Sequence, residues 1–153
     1  MLTTSEEDNI LNNIDAFNIA VAEILGECYR EFPLRVRLSK LDIGETIKIA
    51  MGDDPDGVHN LSEKEYEIAE EAMNWLMEAG YIWSREPDNR ISMEGVTLSP
   101  KGLEILNAVP ETLQEKKTLG DLISGGVKTI GKDVATTSVK TVLTYGLKLS
   151  LGT

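Results

Sequence analysis

Residues 62 to 106 constrain this chain more than any other stretch. Ser62-Glu-Lys-Glu65 is a capping box, with Glu three residues after Ser. It opens a predicted helix over Ser62–Ala79. Tyr66, Ala69, Met73 and Leu76 make one apolar row, and Ile68, Ala72, Trp75 and Ala79 make the adjacent one. Gly80 is a natural helix stop. Tyr81-Ile-Trp83 then reads as a strand, Glu86-Pro-Asp-Asn89 as a turn and Gly95-Val-Thr-Leu98 as a returning strand. Ser99-Pro-Lys begins another helix, with Ser as N-cap and Pro in the first turn. It carries Leu103, Ile105, Leu106 and Val109 to Pro110.

The preceding part opens with a long helix, about Ser5 to Glu31. Ser5 serves as N-cap, and Glu6, Glu7 and Asp8 suit the positive end of the helix dipole. Ile10, Ile14, Phe17, Val21, Leu25, Cys28 and Phe32 recur as one buried stripe, and Pro33 ends the helix. Leu34 to Leu38 alternates and reads as a short strand. Ser39 or Asp42 then caps a short helix through Ile43, Ile47 and Ile49 to about Met51. Gly52-Asp-Asp-Pro-Asp-Gly57 is a turn by composition.

The order is therefore helix, short strand, helix, helix, hairpin, helix. The run Trp75-Leu-Met-Glu-Ala-Gly-Tyr-Ile-Trp83, the hairpin turn and Val96-Thr-Leu-Ser-Pro-Lys-Gly-Leu-Glu-Ile-Leu106 resemble the winged helix-turn-helix superfamily. The likeness is greatest to MarR-type regulators and covers roughly Ile10 to Val109. It implies an α-rich α+β domain over residues 5–110, with a small β-hairpin wing. Ser62–Ala79 stands where such a domain carries its recognition helix. Winged helices bind DNA, RNA and proteins, so the fold leaves function open.

Charge weighs against DNA. Of the 153 residues, 15 are Lys or Arg and 26 are Asp or Glu, a net charge of −11. Glu63, Glu67, Glu70, Glu71, Asn74 and Glu78 lie off the apolar rows of the Ser62–Ala79 helix, and Lys64 is its only cation. Affinity for a duplex comes from Lys and Arg displacing counterions at phosphates. Carboxylates held within a Debye length of about 8 Å of phosphate are not screened away. The same face suits a protein partner with a basic surface, through Glu67, Glu70, Glu71, Asn74 and Glu78. In the DNA-binding alternative, Arg85 and Arg90 of the wing touch the nucleic acid. Arg35, Arg37 and Lys40 form a further small basic group.

Chemistry finds little footing. Cys28 is the only cysteine and His59 the only histidine, which excludes an intrachain disulfide, a Cys-cluster metal site and a two-His zinc site. Cys28 on the apolar stripe reads as a small buried hydrophobe. Aligning Asp54 with position 1 of a calcium loop puts His59 where glycine is required. Gly125-Gly126-Val-Lys128-Thr129 lacks phosphate-loop spacing. No enzyme, cofactor or metal is expected. The acidic start and the lack of a long apolar run imply a soluble, cytoplasmic protein.

Residues 111–153 differ from the rest. Lys116, Lys117, Lys128, Lys132, Lys140 and Lys148 against Asp121 and Asp133 leave residues 116–153 at +4 and the remainder at −15. Leu119, Leu122, Ile123, Val127, Ile130, Val134, Val142, Leu143 and Leu147 mostly follow helical steps. Gly120, Gly125, Gly126, Gly131 and Gly146 interrupt them, each costing a helix about 1 kcal/mol relative to Ala. This amphipathic extension needs a support: its own chain, a second copy or an anionic membrane surface. Packing on protein is preferred, with Lys128, Lys132, Lys140 and Lys148 as docking residues. The preferred reading overall is a non-enzymatic interaction or assembly module, with homo-oligomers through the terminal helices. A MarR-like DNA-binding regulator and a peripheral membrane protein are the alternatives.

Overall fold

The computed structural model describes residues 4–52, 63–86, 89–111 and 116–151, with side chains from residue 13 onward. The chain is α+β: seven helices and three strands lie among the described residues. They are α1 (Thr4–Glu31), β1 (Val36–Ser39), α2 (Lys40–Ala50), α3 (Glu63–Glu78), β2 (Ile82–Ser84), β3 (Ser92–Leu98), α4 (Pro100–Leu106), α5 (Leu119–Ile123), α6 (Val127–Ile130) and α7 (Lys132–Ser150). None of these helices is long and apolar enough to cross a membrane. Ser62 and its capping box, the 53–57 turn, His59, Asp88 and the side chain of Ile10 lie outside the described residues.

The sheet is antiparallel in the order β1-β3-β2. Ile82 faces Leu98 and Ser84 faces Val96 in the hairpin, while Leu38 faces Met93 on the other edge. Pairing on both sides is why β3 starts at Ser92 rather than Gly95. The first strand begins later than predicted, because the Leu34 amide turns back onto the Glu31 carbonyl at 2.8 Å, leaving Leu34 exposed. Ser39 caps α2 through the Asp42 amide. Ser99 caps α4 through the Gly102 amide and donates to the Gly80 carbonyl at 2.5 Å. One hydroxyl thus ties the start of α4 to the end of α3. Helix α4 stops at Leu106, short of the predicted Pro110, and Val109 is exposed. A residue before proline disfavours helical backbone.

Helix α1 departs most from the one-stripe expectation. Residues 18 to 22 are all buried, as are Ile24, Leu25 and Cys28, whereas Ile14 and Phe32 are exposed. A helix buried on all sides lies inside a protein rather than at its surface. Here α2 and α3 cover one side of α1, and α5 and α7 cover another. Leu119, Ile123, Val127, Ala135, Val139 and Val142 of the extension join the same apolar cluster as Leu76, Ile82 and Leu106. Each such leucine, isoleucine or valine contributes about 1.5–3 kcal/mol by leaving water. That outweighs a glycine cost of about 1 kcal/mol. Gly126 and Gly131, moreover, sit between helices at φ 86° and 87°, so they break the extension into segments rather than weaken one. Helix α7 turns Ala135, Val139, Val142 and Gly146 inward and leaves Val134 and Leu147 exposed. Small side chains let it lie close to its neighbours. Its register is therefore set by these residues and not by the larger Val134 and Leu147.

Candidate functional site

Helix α3 buries Ala69, Ala72, Met73 and Leu76 and half-buries Tyr66 and Ile68, and Ala79 just after it is half-buried too. Trp75, expected inside, is 40% exposed. It stands at the seam between α3 and α1, where two rings hold it. Phe17 meets it edge-on at 5.3 Å between centroids, and Tyr81 stacks on it at 6.1 Å. The indole thus presents part of its surface to solvent in a fixed orientation. Asn13, Phe17, Ile68, Glu71, Trp75 and Glu78 line a groove of about 260 Å3 there. Glu71 and Glu78 are exposed on its rim, with Trp75 between them in sequence. Exposed Ile14 lies one turn before Phe17. The site is an aromatic surface bordered by carboxylates, and the carboxylates attract cations.

The remaining predicted residues divide. Glu67 is exposed, and Asn74 is half-buried. Glu70 is half-buried, and its Oε2 accepts from Lys40 Nζ at 2.8 Å. The Lys40 ammonium also donates to the Asn89 carbonyl at 2.5 Å, and Lys40 is 1% exposed. A lysine at the first position of α2 reads as a surface residue, and only the tertiary arrangement reveals this buried lysine and its partner. Lys101 is the other residue that sequence reasoning passed over. It donates to the Ala79 carbonyl at the end of α3, reaches Ser150 of α7 and lies 4.9 Å from the Tyr81 ring centroid.

Arg35, Arg37 and Lys40 each have a partner within the chain, but only Lys40 is buried, and the Arg37 side chain is 57% exposed. Arg35 donates to the Gly95 carbonyl at 2.7 Å, and Arg37 pairs with Glu94 at 2.8 Å. Arg85 and Arg90 are exposed on the hairpin, beside exposed Trp83 and Ile91. The Tyr66 hydroxyl donates to the Arg90 carbonyl, tying the hairpin to α3.

The four lysines of the extension do not share one face. Lys132 pairs with Asp15 at 3.4 Å, joining α7 to α1. Lys128 is exposed and lines a separate cleft of about 690 Å3 with Glu23, Glu27, Asp42 and Glu45. There Glu23 accepts the Val127 amide at 2.9 Å, and burial holds the Glu27 carboxyl above its usual range. Lys140 is exposed, and Lys148 lies over its own Tyr145 ring at 5.6 Å. Cys28 is fully buried, and burial pushes its thiol up to about 12. Among the described residues, no group of three His, Cys, Asp or Glu side chains is placed to hold a metal ion. No protein-family model, curated protein or solved structure matches the chain.

Proposed function

We propose that this chain is a cytoplasmic, non-enzymatic interaction module: a winged helix-turn-helix unit whose α3 recognises a basic protein segment instead of DNA. The element order α1-β1-α2-α3-β2-β3 and the sheet order β1-β3-β2 support the winged-helix part. The observation that carries the functional part is the exposed Trp75 set between Glu71 and Glu78 over the Phe17 groove. An amphipathic helix with lysines beside leucines satisfies both chemistries. Its apolar side covers the indole and Ile68, and its ammonium groups meet the carboxylates.

Two findings weigh against the DNA-binding alternative. The surface α3 offers to a groove is acidic, Lys40 is buried against Glu70, and Arg37 already pairs with Glu94 at the surface. Arg85 and Arg90 remain as candidate phosphate contacts, and two cations supply little counterion release. The membrane alternative loses support because the inner side of α7 is spent on the core.

The test is a pair of anisotropy titrations on the full chain. One uses a labelled synthetic Lys/Leu amphipathic peptide and the other a labelled mixed-sequence duplex. Peptide binding that weakens with salt and is lost in Glu71→Lys/Glu78→Lys is the expected result. Duplex binding that weakens with salt and is lost in Arg85→Ala/Arg90→Ala overturns the proposal.

A further inference from the structure

The groove has an acidic rim, and the same molecule carries a stripe of complementary chemistry. On α7, Lys140, Thr144 and Leu147 are exposed at steps of four and three residues, and Leu151 follows four later as the helix cap. Leu147 is 61% exposed and Leu151 69%, a large apolar surface for the end of a helix. Lys148 flanks the stripe. Lys140 makes no ion pair among the described residues. We infer that the α1/α3 groove of one copy receives the C-terminal half of α7 from a second copy. This rests on the reading of that groove as a recognition surface and names its occupant.

The dimensions agree. Glu71 and Glu78 are seven residues apart in α3, a rise of ~10.5 Å, and Lys140 and Lys148 are eight apart, a rise of ~12 Å. With α7 laid along α3, each lysine reaches a glutamate while Thr144 and Leu147 cover Trp75. On each copy the inner side of α7 reaches the same aromatic cluster. Tyr81 stacks on Trp75 with its ring, and its hydroxyl lies against Gly146, where a side chain would collide with it. Complementary patches used reciprocally close as a two-fold dimer, in which each copy gives its α7 stripe and receives the other's.

Sedimentation velocity of the full chain, from low to several hundred micromolar, tests this. The expected result is a concentration-dependent dimer that weakens with salt. Glu71→Lys/Glu78→Lys and Lys140→Glu/Lys148→Glu should each raise the dimer dissociation constant about tenfold or more, as for loss of interfacial charge pairs. All four positions are exposed. Circular dichroism checks the fold of each variant, and Leu147→Ser weakens the dimer from the α7 side without changing any charge. Mixing the two reversed chains should restore dimers, because both α7–groove contacts are then complementary again. A wild-type chain that stays monomeric, or a dimer indifferent to both reversals, overturns the inference. The recognition surface itself is judged separately: it survives if the Lys/Leu peptide still binds and Glu71→Lys/Glu78→Lys abolishes that binding.

Discussion

Lys40 Nζ and Glu70 Oε2 lie 2.8 Å apart, with the lysine side chain 1% exposed and the glutamate side chain 35% exposed. The two ends of this pair are therefore unequal. Removing the carboxylate strips a charge partner from a cation sealed against water. Removing the cation leaves a carboxylate that water still reaches. Glu70→Ala should destabilise the fold, by less than the loss of a fully buried pair, and Lys40→Met by less still. Urea unfolding of both variants checks the order. Equal losses would mean that Glu70 contributes nothing special to Lys40.

Gly26 sets two effects against each other. In a helix interior, Gly→Ala gains about 1 kcal/mol from propensity. A Cβ at Gly26, however, would run into the backbone carbonyl of Ile123, where α5 crosses α1. Backbone does not yield as a flexible side chain does, and such overpacking costs about 1–3 kcal/mol. Gly26→Ala should come out destabilising, and thermal melts read the sign directly.

Glu27 links stability to pH. Burial raises its carboxyl most, the neighbouring Glu23, Asp42 and Glu31 add to that, and Arg30 opposes them. Its folded pKa is above the unfolded value. The favourable contribution is thus fully present below the unfolded pKa, and it is lost as pH rises through the folded one. Glu27→Gln should melt higher than wild type at pH 7, and the gap should close as pH falls toward 4. A constant gap would mean that ionisation is not the cause.

Cys28 should ignore a thiol-specific disulfide reagent at pH 8 in the native protein and react at once in denaturant. Its thiol is held up to about 12, and the thiolate is the nucleophile. Because the folded value exceeds the unfolded one, stability should fall as pH climbs from about 9 toward 12, and Cys28→Ala should flatten that slope.

The extension should prove inseparable from the rest. A chain ending at residue 111 uncovers the side of α1 that α5 and α7 occupy. Each large apolar side chain returned to water costs about 1.5–3 kcal/mol, against a typical total stability of about 5–15 kcal/mol. Loss of a cooperative melt is expected. A sharp transition like that of the full chain would show that residues 5–110 fold alone.

Local signals carried much of the architecture. Pro33, Gly80 and Ser99-Pro100 bound their elements close to where the structure ends or starts them, because proline geometry, a left-handed glycine and a side-chain cap act within a few residues. The acidity of α3 was equally plain, since outward positions follow from helical period alone. The groove was less so. Trp75 fits the apolar row by spacing, yet it sits at a seam that α1 closes only in part.

What the residues determined by themselves is the order of elements, the acidic outer face of α3 and the amphipathic, basic character of residues 116–153. These depend on neighbours a few positions apart. Tertiary structure decided what fills the second side of α1, which charges are spent and where a tryptophan meets solvent. Lys40 finds Glu70 thirty residues away, and Glu23 finds Val127 across 104. Such pairings depend on how helices cross, and no local period encodes a crossing.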